Sequence, residues 1–226
     1  MYEDTPEDLI FDRFEEVVYA KHEMGRPIIG YPDTVRAFTR SQLVDYMDRH
    51  YTPNRMVLAV AGNVDHKRVV RLAEKAFAAT SRGPRPCRRA PTTGYAAGEV
   101  VERKPIQQAH FVVGARSCSV FDPDRLPLTV LNTILGGGMS SRLNQNIREK
   151  YGYCYNIYSF LNMHSDTGDF GVYMGTDPAK VQHAQKLIFR ELEKLVDKQV
   201  GDRTLAQAKA QVKGSIMLGL ESMSNR

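Results

Sequence analysis

Residues 135–160 read LGGGMSSRLNQNIREKYGYCYNIYSF, and successive changes of pattern within that stretch decide the fold. Gly136, Gly137 and Gly138 end an apolar helix that runs from about residue 123 to Leu135. Ser140 or Ser141 can then cap a second helix, which carries Leu143 and Ile147 and closes on Arg148, Glu149 and Lys150. Gly152 permits a tight helix-to-strand turn. Beyond it the side chains alternate, so residues 153–160 read as a strand. Ser165-Asp166-Thr167-Gly168 supplies turn chemistry and residues 169–175 a second strand, so the two form a hairpin.

Working outward, residues 99–103 and 109–115 are further strand candidates ahead of the first helix. Asp177-Pro178 starts a long amphipathic helix to about residue 198, and Asp202 starts another that carries Leu205, Ala208, Val212 and Met217. Residues 81–98 are the one long stretch rich in Pro, Gly and Arg, and read as a linker. Before it, Thr5-Pro6 opens a helix with Ile10, Phe14, Val17 and Val18 on one face. Thr39 caps a helix carrying Leu43, Tyr46, Met47 and His50, and Asp65 caps one that buries Val69, Leu72, Ala73, Ala76 and Phe77. Between those two, the short apolar run 56–61 reads as a buried strand. The expected class is α+β, with an antiparallel sheet and helices packed on one face. Residues 1–80 and 99–226 are expected to fall in different domains.

Composition is that of a folded globular chain, at 42% hydrophobic and 25% charged residues. No apolar run approaches the roughly 20 residues that a membrane span needs. Cys87, Cys118 and Cys154 are odd in number and lack the paired spacing of a zinc knuckle or redox motif, which fits a reducing compartment. The net charge of +5 raises nucleic acid as a partner, but the basic residues Arg82, Arg85, Arg88 and Arg89 lie among the linker prolines. With no finger spacing and no basic helix, nucleic-acid binding is not expected.

A zinc hydrolase requires three clustered ligands, often two histidines one helical turn apart. His22, His50, His66, His110, His164 and His183 are scattered and contain no such pair. A glycine-flanked serine elbow is also absent. The glycine run ahead of a helix could cradle an anion, but without a P-loop lysine it reads better as a close connection between helices. Arg148 and Tyr155 differ from these, because an arginine fork and a phenol hydroxyl could together hold a peptide carbonyl as it gains negative charge. By residue type alone the plainer reading, a surface arginine and a core-edge tyrosine, is favoured, because paired donors are common.

The order of landmarks narrows this choice. Asp4-Thr5-Pro6, Gly25 to Gly30 (GRPIIG), Tyr51 to Met56 (YTPNRM) and Ala61-Gly62-Asn63-Val64 precede Leu135 to Leu143 (LGGGMSSRL), Ile147 to Lys150 (IREK), Lys213-Gly214 and Leu220-Glu221-Ser222. In that sequence they resemble the pitrilysin/insulinase zinc peptidases, and in particular the two-domain bacterial type similar to the mitochondrial processing peptidase β subunit. The resemblance implies that a His-x-x-Glu-His zinc motif lies upstream of residue 1, so that zinc belongs to the parent protein and Glu3 is not a ligand. It assigns residues 1–80 to the back half of the zinc-bearing domain and residues 99–226 to most of a second, non-catalytic domain. It further implies that Arg148 and Tyr155 clamp substrate in the transition state, and that Gly137, Gly138 and Ser140 help to shape the substrate chamber. A clamshell homo- or hetero-dimer around a peptide would follow, in the bacterial cytoplasm or alternatively the mitochondrial matrix. This chain alone would be inactive. A catalytically silent substrate-binding or assembly subunit is the competing expectation.

Overall fold

The computed structural model describes residues 5–20, 22–78, 92, 94–95 and 97–221. The linker expected at 81–98, with Cys87 and its arginines, therefore lies largely outside the described residues, as does Glu3. Along the chain the helices are α1 (Pro6–Val18), α2 (Pro32–Arg36), α3 (Arg40–His50), α4 (His66–Phe77), α5 (Arg125–Gly136), α6 (Val181–Asp197) and α7 (Asp202–Glu221). The strands are β1 (Ala109–Ser117), β2 (Asn156–Met163) and β3 (Gly168–Thr176). Two compact units result, residues 28–90 and the remainder, 1–27 with 91–226.

The larger unit is built on an antiparallel sheet in the order β1-β3-β2. β2 and β3 form the hairpin expected from the turn at 165–168, with Met163 opposite Gly168. Alternation along the strands divides their side chains between two faces. Phe111, Ile157, Val172 and Met174 take one face and pack against Leu135 of α5, Leu143, Ile147, and Ala184, Leu187 and Ile188 of α6. Each aliphatic side chain buried this way contributes about 1.5–3 kcal/mol, so this layer dominates the unit's stability. α7 leans on α5 from outside.

The opposite face carries α1. Phe14, Val18 and Tyr19 are buried against Val112 and Phe160. Phe11 meets Phe160 edge-on with ring centres 5.2 Å apart and stacks on Tyr173 at 5.6 Å. Gly114 makes this possible, because a Cβ there would stand 2.7 Å from Phe14 Cζ. At the end of the helix the Tyr19 hydroxyl donates to Asp169 Oδ2 at 3.0 Å, and Asn162 Nδ2 donates to Asp169 Oδ1 at 3.0 Å. Asp169 is fully buried, and loss of hydration pushes its carboxyl above the ordinary value against the pull of those two donors.

The α+β class is thus observed, with helices of the second half on one sheet face and α1 on the other. α1, grouped with residues 1–80 from sequence, here packs on the sheet of residues 109–176. The reason is local chemistry: the aromatic stripe of α1 matches an aromatic sheet face.

In the smaller unit the caps read from sequence are present. Thr39 forms a capping box with Gln42, and Asp65 accepts from Arg68 N at 2.8 Å. The strand expected at 56–61 is absent, and Val57 is 95% exposed. A strand needs a hydrogen-bonding neighbour, and the described residues of this unit provide none. Leu43, Tyr46 and Met47 of α3 and Leu72 of α4 are likewise exposed, although their spacing marks a buried face. The strand expected at 99–103 also carries no regular structure. Met217 on α7 is exposed, and Ala208 is the residue of that helix that is buried.

Candidate functional site

The three glycines end α5 at its junction with β2. Gly136 is buried against Ser159, whose hydroxyl donates to Asn132 O at 3.1 Å. Gly137 is exposed; its N–H donates to Thr133 O at 3.2 Å and its carbonyl accepts from Gln211 of α7 at 3.1 Å. The Gly138 carbonyl accepts from Ser141 N and from Asn144 Nδ2, each at 3.0 Å. Ser140 is exposed, while Ser141 is buried. From sequence this loop reads as a close connection between helices rather than an anion cradle; the Gly137 and Gly138 carbonyls are turned to helix contacts.

The helix that follows is not a regular α-helix. Residues Asn144–Glu149 wind as a π-helix, a form with wider turns that recurs where a helix has been adjusted to place particular side chains. Arg148 belongs to this segment and is half-buried, with its guanidinium 3.9 Å from Glu149. Its carbonyl accepts from Gly152 N at 2.9 Å, and Gly152 has φ +62°, the left-handed conformation that reverses the chain toward β2.

Residues 153–156 then climb into β2 with alternating contacts. Tyr153 packs between Tyr151 and His183, at ring distances of 5.4 and 5.6 Å, beneath the Lys180 ammonium at 5.2 Å. Its carbonyl accepts from Thr176 Oγ1 at 2.7 Å. Cys154 packs on the main core, and burial pushes its thiol up to about 11 while the nearby Arg148 charge pulls it down. Tyr155, in contrast, is 86% exposed. The structure places Arg148 and Tyr155 at the two ends of one reversal, with Tyr155 open to solvent.

Asn144 was not singled out from sequence. It is buried, and its Nδ2 donates to Gly138 O at 3.0 Å, Ser141 Oγ at 3.2 Å and Ile157 O at 3.2 Å. The available signal was its position three residues before Ile147, on the apolar stripe of the helix. Among the described residues no group of His, Cys, Asp and Glu could hold a metal ion, so zinc does not fit the residues seen here.

This fold, with a glycine loop, a π-helical turn and an outward tyrosine at one end of the sheet, defines a mixed helix-and-sheet domain. A family model described as the peptidase M16 inactive domain matches residues 37–212, and the chain belongs to that family. It is 40% identical over 232 residues to an uncharacterized zinc protease of Streptomyces coelicolor, covering 98% of this chain and 50% of that protein. It is 34% identical over 227 residues to the uncharacterized zinc protease YmxG of Bacillus subtilis, covering 100% of this chain and 55% of that protein. The chain thus spans about half the length of these curated relatives. Among solved structures, a protease from Helicobacter pylori matches with TM-score 0.85 at 22% identity, over 99% of this chain and 56% of that one. A peptidase M16 inactive domain from Pseudomonas fluorescens matches with TM-score 0.83 at 22% identity, over 95% of this chain and 52% of that one. The last two similarities concern the fold.

Proposed function

We propose that this chain is the substrate-binding part of a zinc-dependent endopeptidase, with Arg148 and Tyr155 as the groups that meet the scissile peptide. The observation that carries the reading is the outward Tyr155, 86% exposed, at the end of a reversal whose other end is Arg148. An exposed ring contributes little to packing here, whereas Tyr153 and Cys154, the two residues between the turn and Tyr155, are held inward. The guanidinium and the phenol hydroxyl would both donate to a carbonyl oxygen, and those bonds strengthen as the oxygen acquires negative charge.

Zinc bound elsewhere in the longer protein would supply the activated water. Residues 1–80 would then form the back half of the zinc-bearing domain, completed by chain outside this sequence. Residues 99–226 would form most of the clamping domain, with Gly137, Gly138 and Ser140 at the chamber wall. The partner is a homo- or hetero-dimeric clamshell half enclosing a peptide, and the bacterial origin of the relatives supports a bacterial cytoplasm.

The test is peptide hydrolysis by the full-length protein with and without a chelator, beside Arg148→Ala and Tyr155→Phe. Chelator-sensitive cleavage with turnover reduced about 100-fold or more in each variant supports the clamp, in line with the loss of a transition-state donor. Zinc-dependent cleavage that both variants retain removes those roles. An absence of both zinc and cleavage establishes a silent subunit.

A further inference from the structure

We infer that Asn144 is the positioning residue of the Arg148–Tyr155 pair, an inference that rests on the clamp reading above. One side-chain amide touches the three segments on which that pair depends. It bonds Gly138 O in the glycine loop, Ser141 Oγ at the helix start and Ile157 O on β2, two residues beyond Tyr155. Asn144 is itself the first residue of the π-helical segment that contains Arg148. The helix and the strand are also linked by the reversal at Gly152, whose positive φ fixes a turn but not the angle between the elements, and by apolar packing of Leu143 and Ile147 with Ile157, which is non-directional. An amide donating across that angle defines it.

The chemistry favours a specific role for the donor. The acceptors are two backbone carbonyls and one hydroxyl, and the amide has two protons to share among them. An apolar residue of the same size would fill the volume and keep the core packed, yet would leave Gly138 O and Ile157 O without this partner. The π-helix would then be free to rewind toward regular α geometry, which rotates the residues after the bulge and so swings Arg148. A misplacement of about 1 Å is enough to cost about 100-fold in rate.

The experiment uses Asn144→Leu and Asn144→Asp in the full-length protein, with kcat and KM measured separately, and each also combined with Arg148→Ala. A positioning role predicts kcat lowered about 10- to 100-fold with KM within about twofold of the parent. It also predicts that adding either substitution to Arg148→Ala costs nothing more, because the side chain being aimed is already gone. Losses that multiply with Arg148→Ala, or variants with unchanged kcat, overturn the assignment. An Arg148→Ala protein of full activity instead overturns the clamp reading, which keeps the two failures separate. Amide exchange at Tyr155, Asn156 and Ile157, read in this chain without any turnover, gives a second measure. Faster exchange there in Asn144→Asp, with that of β1 and α6 unchanged, is expected; exchange unaltered at those amides refutes the contact's role.

Discussion

Removing one oxygen from α1 tests how that helix is held to the sheet. Tyr19 is buried, and its hydroxyl bonds the fully buried Asp169 at 3.0 Å, 150 residues away in sequence. A hydrogen bond to a charged group is worth about 1.5–3 kcal/mol, so Tyr19→Phe is expected to weaken the seating of α1 by about 2 kcal/mol where Asp169 is ionised. The groups facing Asp169 are Tyr19 and Glu15 from α1, Asn162 from β2 and His164, whose Nε2 is 3.9 Å from Asp169 Oδ2. Asp169 has a native pKa above its unfolded value, chiefly through desolvation. Between those two values the native state keeps a proton that the unfolded state has lost, so stability falls as pH rises through the window and is recovered on acidification. The Tyr19 donor counters that rise. Its loss therefore costs most where Asp169 is ionised and falls to a neutral bond's worth, about 0.5–1.5 kcal/mol, once both variants carry the proton. Native-state amide exchange at Phe14 to Val18 reads this directly. Exchange should accelerate about 30-fold at a pH where Asp169 is ionised and about 5-fold at a pH low enough to protonate it in both variants, taking about 1.4 kcal/mol per factor of ten. An acceleration under about 3-fold where Asp169 is ionised, or an equal one at both pH values, refutes the argument that Asp169 is the anchor.

Gly136→Ala would place a Cβ 2.1 Å from Ser159 N, a backbone atom that cannot yield, so a loss of about 3 kcal/mol is expected in urea unfolding. Gly214→Ala meets no atom within 4 Å inside α7 and should stabilise the chain by about 0.5–1 kcal/mol in the same assay. With its thiol pushed up to about 11, Cys154 should be alkylated far more slowly at pH 8 in the native chain than in urea; equal rates would mean that the 153–156 segment is not packed as observed.

Legibility followed the range over which each interaction acts. The Asp65 cap, the Gly152 reversal and the 165–168 hairpin turn depend on residues within a few positions of one another, and each stands where the sequence puts it. Arg148 and Tyr155 emerge from sequence as a pair by residue type and by resemblance, while the π-helical winding between residues 144 and 149 has no local signature. Asn144 stands on the apolar stripe of its helix, but its acceptor Ile157 O lies thirteen residues on and outside any local pattern. Tyr19 and Asp169 are further still from local detection.

The smaller unit shows the converse. There the apolar spacing of α3, of α4 and of residues 56–61 is as regular as in the sheet domain, yet Val57, Leu43, Tyr46 and Leu72 stay exposed. Hydrophobic periodicity records that a face is to be buried and is silent about what buries it. In the larger unit both sheet faces find their cover among the described residues, α5 and α6 on one and α1 on the other. Equal patterns with unequal burial therefore separate the part of this chain whose core is complete among the described residues from the part whose apolar faces are not covered by them. The residues proposed to meet substrate lie in the first of these, which is why their placement can be argued from this chain alone.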